Sequence, residues 1–95
     1  MNLWFYENPE TGLPHIYDHG VEEYEVNDVL ADCIEDRPSR RGAREAIGRT
    51  RGGRYSKVVY RLDGETGDIT VITAYDLRGS ALAAYRRRQR RKRGR

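Results

Sequence analysis

Three arginines surround a pair of glycines in the middle of the chain, at Arg49, Arg51 and Arg54. A guanidinium fork matches two phosphate oxygens at once, and Gly52 and Gly53 allow a ligand to approach the backbone closely. This density favours phosphate binding over the alternative in which separate surface charges only solvate a sheet edge. The phosphate ligand that we expect is RNA.

His19 and Tyr75 supply groups that can move protons or contact bases. His19 can exchange a proton near neutral pH, and Tyr75 can donate a proton or stack on a base. Cleaving RNA without a metal requires a base for the 2′-hydroxyl, a cation for the phosphorane and an acid for the 5′-oxygen. The sequence shows no second well-placed histidine, and a second interpretation is that His19 only caps or packs the next helix. The candidate catalytic residues are His19, Arg49, Arg54 and Tyr75.

A metal site is not expected. His15 and His19 are four residues apart, which would suit a metal on a helix, but Pro14 and Gly20 bracket them and predict no helix there. Cys33 is the only cysteine of the chain, so an intramolecular disulfide and a cysteine zinc site are both excluded. The sequence therefore predicts neither a metal nor a cofactor.

Charge is strongly separated along the chain, although the net charge is only +3. Residues 1–36 contain ten acids and no Lys or Arg, whereas residues 86–95, RRRQRRKRGR, contain eight basic groups and no acid. Blocks of one sign are usually binding surfaces or solvated tails. We therefore interpret the tail as a segment that binds RNA or the ribosome, as a dock for an acidic partner protein, or as a solvated extension. The candidate RNA-binding residues are Arg51, Lys57, Arg78, Arg86, Arg87, Arg88, Arg90 and Arg91.

A β-meander is predicted to position these side chains. The runs Tyr55–Leu62 and Asp68–Tyr75 are rich in β-branched and aromatic residues, and a glycine-bearing link of five residues joins them as a hairpin. The run from Glu45 to Thr50 precedes them as a third strand, and Leu3–Tyr6 is a first strand or an N-terminal plug of the core. Within the first hairpin strand, the expected core face is formed by Ser56, Val58, Tyr60 and Leu62.

Two helices are expected on one face of this sheet. Residues 21–34 place apolar side chains at helical spacing, and the helix must stop before Pro38. A second helix runs from Ala81 to about Arg91, with Leu82 and Tyr85 buried. These elements predict an α+β fold, with an antiparallel sheet of about four strands in one domain at residues 1–85. Residues 86–95 form a basic tail, because no apolar residue follows Tyr85 to anchor it. The apolar stripe of the first helix is Val26, Val29, Leu30, Cys33 and Ile34.

The order of several short motifs resembles the BrnT-like toxins, which belong to the RelE-like group of bacterial type II toxin–antitoxin systems. The resemblance covers roughly residues 17–87. It implies a compact fold of helices on a small sheet, metal-independent endoribonuclease activity, and neutralisation by a cognate antitoxin protein. The matching pieces are His19-Gly20-Val21, Ile47-Gly48-Arg49-Thr50, Gly53-Arg54-Tyr55 leading into Val58-Val59-Tyr60, Ile72-Thr73-Ala74, and Tyr85-Arg86-Arg87.

Two other functions remain open from the residues. Tyr75 stands where the family usually has Arg, which favours a non-catalytic RNA- or ribosome-binding protein of the same fold. In a third interpretation, the acidic helix binds a basic protein. No run of about 20 apolar residues is present, so no membrane span is expected. The N-terminus does not resemble a signal peptide, and a cytoplasmic protein is expected.

Overall fold

The computed structural model, which describes residues 2–93, contains a five-stranded sheet and two α-helices. The strand order is β1-β5-β4-β3-β2, with β1 parallel to β5 and all other neighbours antiparallel. The predicted α+β class is confirmed, but the sheet has five strands and is mixed, rather than four and antiparallel. The elements are β1 Leu3–Phe5, a 3-10 helix His15–His19, α1 Glu23–Ala31, β2 Cys33–Pro38, a 3-10 turn Arg40–Gly42, β3 Arg44–Arg49, β4 Tyr55–Leu62, β5 Ile69–Asp76 and α2 Gly79–Arg93.

The additional strand is β2, whose first residues were predicted to end the first helix. Cys33 and Ile34 fit both the helical period and the alternation of a strand, and the structure places them in β2 beside β3. Cys33 and Glu35 are partly buried while Ile34 is 44% exposed, which is the alternation of an edge strand. Pro38 ends this strand, at a position where its missing N–H costs little.

Helix α1 begins with a capping box and packs on the sheet through valines. Glu22 is the N-cap, and the backbone N–H of Glu22 donates to Oε1 of Glu25 at 3.0 Å. Val26 and Val29 are fully buried, as predicted, whereas Leu30 is only partly buried at the edge of the core. The core cluster on this face consists of Ile16, Val21, Val26, Val29, Ala46, Val58, Tyr60, Val71 and Ala74.

Helix α2 lies on the other face of the sheet. Ala46 belongs to the core beneath α1, but its neighbour Ile47 packs with Leu77 and Tyr85. Successive residues of a strand point to opposite faces, so the prediction that both helices cover one face is wrong. Part of the second face therefore stays open beside α2.

The predicted tail continues helix α2 as far as Arg93. Arg88 donates from Nη2 to Oε1 of Glu35 at 2.8 Å and from Nε to Oε2 at 3.0 Å. Gln89 donates to Oε2 of the same carboxylate at 2.9 Å. The expectation that nothing beyond Tyr85 anchors the chain is wrong, because the anchor is an ion pair. Residues 94–95 of the predicted tail lie outside the described residues.

Gly48 sets the distance between β3 and the end of α1. A Cβ at this position would lie 3.2 Å from the carbonyl oxygen of Asp32 and 3.4 Å from the Cα atoms of Val29 and Cys33. These are backbone atoms that cannot rotate away. We expect Gly48→Ala to lower the free energy of unfolding by about 1–3 kcal/mol, the range for overpacking. Urea denaturation measures it, with Gly64→Ala as control because a Cβ at Gly64 meets nothing within 4 Å. Equal stability of the two variants would contradict this account.

Candidate functional site

Lys57 and Tyr75 lie side by side on the open face of the sheet. They are direct partners in the β4–β5 ladder, and the next pair, Val58 and Ala74, is buried beneath α1 on the other face. The ammonium of Lys57 lies 6.0 Å from the centroid of the Tyr75 ring, within reach of a cation–π contact. Tyr75 is 36% exposed. The Lys57 side chain is only 15% exposed, so the ring of Tyr75 presents most of this pair to solvent.

His19 reaches this pair from the first 3-10 helix. Its ring centroid lies 6.1 Å from that of Tyr75, in an edge-to-face arrangement with an interplanar angle of 62°. His19 and Tyr75, two of the candidate catalytic residues, therefore lie next to one another. The prediction that Pro14 and Gly20 prevent a helix is wrong: Pro14 is the N-cap, and Gly20, with φ of 73°, is the left-handed C-cap. Ile16, which is 1% exposed, anchors the turn in the core.

His15, on the same turn, stands beside His19. The two ring centroids are 5.2 Å apart, and Nδ1 of His15 lies 3.2 Å from Oδ2 of Asp18. The same Asp18 oxygen accepts from Nδ2 of Asn8 at 2.9 Å. The sequence did not indicate that His15 belongs to this site. The pattern that could have indicated it is the spacing of four residues between His15 and His19. Pro14 and Gly20, which flank them, act as helix caps as well as helix breakers.

The charge of Lys57 is partly balanced by Glu45. The Lys57 ammonium lies 3.5 Å from Oε1 of Glu45, and Nε of Arg37 lies 2.8 Å from the same oxygen. Burial raises the pKa of Glu45, but the hydrogen bond from Arg37 and the charge of Lys57 outweigh it, so the pKa is lower than its ordinary value. Glu45 therefore fixes the position of Lys57 without leaving the area acidic.

Arg54 is engaged by two carboxylates. Its guanidinium pairs with Glu25, which is only 5% exposed as a side chain, and donates from Nη1 to Oδ2 of Asp76 at 3.0 Å. Nε of Arg54 donates to Oε2 of Glu25 at 3.1 Å, and this bonding raises the pKa of Arg54. Asp76 also accepts from the Ser56 hydroxyl at 3.0 Å. The predicted catalytic residue Arg54 thus joins α1 to the β3–β4 turn and to β5, away from His19.

Arg51 is also paired within the protein. Its backbone N–H and its Nε contact the carboxylate of Asp28 at 3.1 and 3.0 Å, and its guanidinium lies 5.8 Å from the ring centroid of Tyr24. The side chain is nevertheless 77% exposed. Of the three arginines around the glycines, Arg51 and Arg54 pair with carboxylates of α1, and Arg49 and Arg54 both line a cleft beside α2.

Arg49 lines a cleft of about 460 Å³ at the foot of α2. Its guanidinium lies 5.7 Å from the ring centroid of Tyr55, and no acidic side chain of residues 2–93 pairs with it. A second cleft of about 430 Å³ shares Tyr55 and Arg86 with the first. We use the name arginine cleft for Arg49, Tyr55, Arg78 and Arg86. It offers cations for phosphate and a ring for a base.

The remaining predicted RNA-binding residues divide into free and paired groups. Arg78 is weakly paired, because its Nη2 lies 3.7 Å from Oδ2 of Asp76 while its side chain is 84% exposed. Arg88 is bound by Glu35 and is 28% exposed. Among residues 79–92 of α2, the exposed cations are Arg86, Arg87, Arg90, Arg91 and Lys92.

The Glu35–Arg88 pair predicts an acid-dependent loss of stability. The hydrogen bond from Arg88 holds the pKa of Glu35 below its ordinary value of 4.5, despite burial. A lowered folded-state pKa stabilises the fold above the unfolded pKa, and this contribution is lost as the pH falls through the folded one. We expect the free energy of unfolding of Arg88→Gln to depend less on pH below about 4.5 than that of the natural chain. Arg87→Gln, at an exposed neighbour, is the control, and identical acid profiles for Arg88→Gln and the natural chain would refute the assignment.

Comparisons with known proteins add no assignment. No family model, curated protein or solved structure matches this chain significantly. Within residues 2–93, no three His, Cys, Asp or Glu side chains are grouped so that they could hold a metal ion. In the same range, neither helix is long and apolar enough to cross a membrane.

Proposed function

We propose that this protein is the toxin of a type II toxin–antitoxin pair and cleaves RNA without a metal on the open face of the sheet. The observation that carries the proposal is the row formed by Lys57, Tyr75 and His19, in which each neighbour lies within 6.1 Å of the next ring. The row combines a partly buried cation with an aromatic ring and an imidazole that are both exposed. The cognate antitoxin and the cytoplasmic location follow from the motif resemblance alone.

The chemistry assigns one role to each residue of the row. The imidazole of His19 takes the proton of the ribose 2′-hydroxyl, and the 2′-oxygen then forms a bond to phosphorus. Lys57 stabilises the charge of the phosphorane, and the bond from phosphorus to the 5′-oxygen breaks as that oxygen gains a proton. Tyr75 holds a base by stacking. The products are a 2′,3′-cyclic phosphate and a 5′-hydroxyl.

Incubating the purified chain with a 5′-labelled single-stranded RNA in EDTA tests the proposal. We expect cleavage that persists in the chelator, with the cyclic phosphate retained on the 5′ fragment. Cleavage that requires added magnesium, or products that carry a 5′-phosphate, would contradict the mechanism. Toxicity on expression, relieved by a protein from the neighbouring gene, tests the toxin assignment separately.

A non-catalytic RNA-binding protein is the second candidate. The arginine cleft and the exposed cations of α2 favour it, because phosphate contacts alone provide affinity without chemistry. In that case the EDTA assay shows bound but uncut RNA.

Either function predicts a strong dependence of RNA binding on salt. Changing the five exposed cations of α2 to Gln should reduce the log–log salt slope by up to about 3.5, at roughly 0.7 per phosphate contact on a single strand. Fluorescence anisotropy at several salt concentrations measures the slope. The fold should persist, because Arg88 and Glu35 are unchanged. An unaltered slope would remove α2 from the RNA-binding surface.

A further inference from the structure

We propose that His15 is the acid that protonates the departing 5′-oxygen, and that Asp18 is the residue that positions it. The inference rests on the proposed ribonuclease function and assigns the one proton transfer that the row of Lys57, Tyr75 and His19 leaves without a donor.

The geometry places two imidazoles in edge-to-face contact, so that one phosphodiester can lie across the pair. The ring centroids of His15 and His19 are 5.2 Å apart and the rings are nearly perpendicular, at 80°. A proton-transfer group must come within about 2.6–3.2 Å of the oxygen it serves. Rings at this separation can therefore reach the attacking and the leaving oxygen of the same phosphodiester.

Asp18 distinguishes the two histidines. The imidazolium form of a histidine needs a counter-charge, and the carboxylate of Asp18 lies 3.2 Å from Nδ1 of His15. The contacts described for His19 are the rings of His15 and Tyr75. The proton-donating role thus falls to His15 and the proton-accepting role to His19. With Nδ1 held by Asp18, Nε2 of His15 is the atom that donates.

Asn8 and Tyr6 hold this arrangement from outside the turn. Nδ2 of Asn8 donates to the Asp18 oxygen that faces His15, at 2.9 Å. The ring of Tyr6 lies 6.4 Å from that of His15, edge to face. The titratable groups facing His15 are thus Tyr6 from the segment after β1, and Asp18 and His19 from its own turn. Tyr75 of β5 is the next titratable group, and its ring contacts that of His19.

The protons balance over one turnover. His19 gains the proton of the 2′-hydroxyl, the 2′-oxygen bonds to phosphorus, and the electron pair of the breaking bond remains on the 5′-oxygen. His15 gives that oxygen its Nε2 proton and becomes neutral. Water then takes the proton from His19 and returns one to His15, so no metal, oxidant or further reactant is needed.

Two substrates distinguish whether His15 is a general acid, a general base or a structural residue. The leaving group of uridylyl-(3′→5′)-adenosine is an alkoxide that must be protonated. The leaving group of uridine 3′-(4-nitrophenyl phosphate) is a phenolate that is stable without a proton. We expect His15→Gln to slow the dinucleotide by about 100-fold or more, the usual contribution of a general acid, and the nitrophenyl ester by much less. The alkaline limb of the pH–rate profile should disappear in this variant. Asp18→Asn should lower kcat on the dinucleotide with little change in KM.

Each outcome decides the assignment. An unchanged rate and unchanged alkaline limb for His15→Gln overturn it, while the proposed function stands if the natural chain still cleaves RNA. Equal slowing of both substrates also overturns it, because an acid is needed for only one of them. If the natural chain cleaves neither substrate, the proposed function fails and this inference fails with it. Thermal melting of His15→Gln and Asp18→Asn confirms that the compared proteins are folded.

Discussion

Replacing Arg54 with alanine is expected to lower the free energy of unfolding by about 3 kcal/mol. The substitution leaves the carboxylate of Glu25 without its guanidinium in a place where only 5% of the side chain is exposed. Breaking a buried pair on one side costs about 3–5 kcal/mol. The lower end applies because the Arg54 side chain is 42% exposed, so water can reach part of the vacated position. Urea denaturation followed by circular dichroism measures the change.

Two further variants identify the cause. Arg49→Ala removes an equally charged, exposed side chain from the same turn, and we expect a change below about 0.5 kcal/mol. Adding Glu25→Gln to Arg54→Ala removes the unpaired charge and should restore part of the stability, since Gln can still cap the helix. An Arg54→Ala protein as stable as Arg49→Ala would show that the pair with Glu25 does not support the fold.

The second large effect is expected in catalysis. His19→Gln should lower kcat for RNA cleavage by about 100- to 10,000-fold, the range for removing one proton-transfer group. KM should change little, because a proton transfer stabilises the transition state and not the bound substrate. Stability should hardly change, because the His19 side chain is exposed. Single-turnover cleavage of a labelled RNA measures the chemical step.

A matched variant controls for general damage to the surface. Tyr24→Phe alters an exposed aromatic residue of α1 whose described ring contact is with Arg51, and not with Lys57, Tyr75 or His19. It should cleave RNA at the natural rate. A His19→Gln protein that also retains that rate would exclude His19 as the base and would favour the non-catalytic RNA-binding function.

Local patterns were sufficient for the hairpin and for the centre of α1. Strand β4 was predicted with its observed bounds, Tyr55–Leu62, because β-branched residues alternate there and glycines follow. Ser56, Val58 and Tyr60 are buried as predicted, but Leu62 is 53% exposed because it lies at the end of the strand. In the hairpin and in the centre of α1, the apolar residues recur with a single clear period. Contacts between residues close together in the sequence therefore determine these two elements.

Distant partners explain what the sequence could not predict. Glu35 follows two apolar residues that continue the helical stripe, and its partners in β2 are Arg88 and Gln89, fifty-three and fifty-four positions later. Arg49 and Arg54 look equivalent in the sequence, yet one lies over Tyr55 and the other pairs with Glu25 of α1. Which side of the sheet an arginine reaches depends on the turn between strands, and its partner depends on where the helix lies.

The placement of the helices on opposite faces gives the molecule an electric dipole across the sheet. Helix α1 carries the acidic residues Glu23, Glu25 and Asp28 and no basic residue. Helix α2 carries only basic residues among its charged ones, and it lies on the face of Lys57 and Tyr75. A polyanion therefore exerts a torque that rotates the α2 face toward it. This rotation acts within about one Debye length, roughly 8 Å at physiological salt. The α2 face is thus turned toward a polyanion before any side chain touches it, and raising the ionic strength slows such an association by removing this preference.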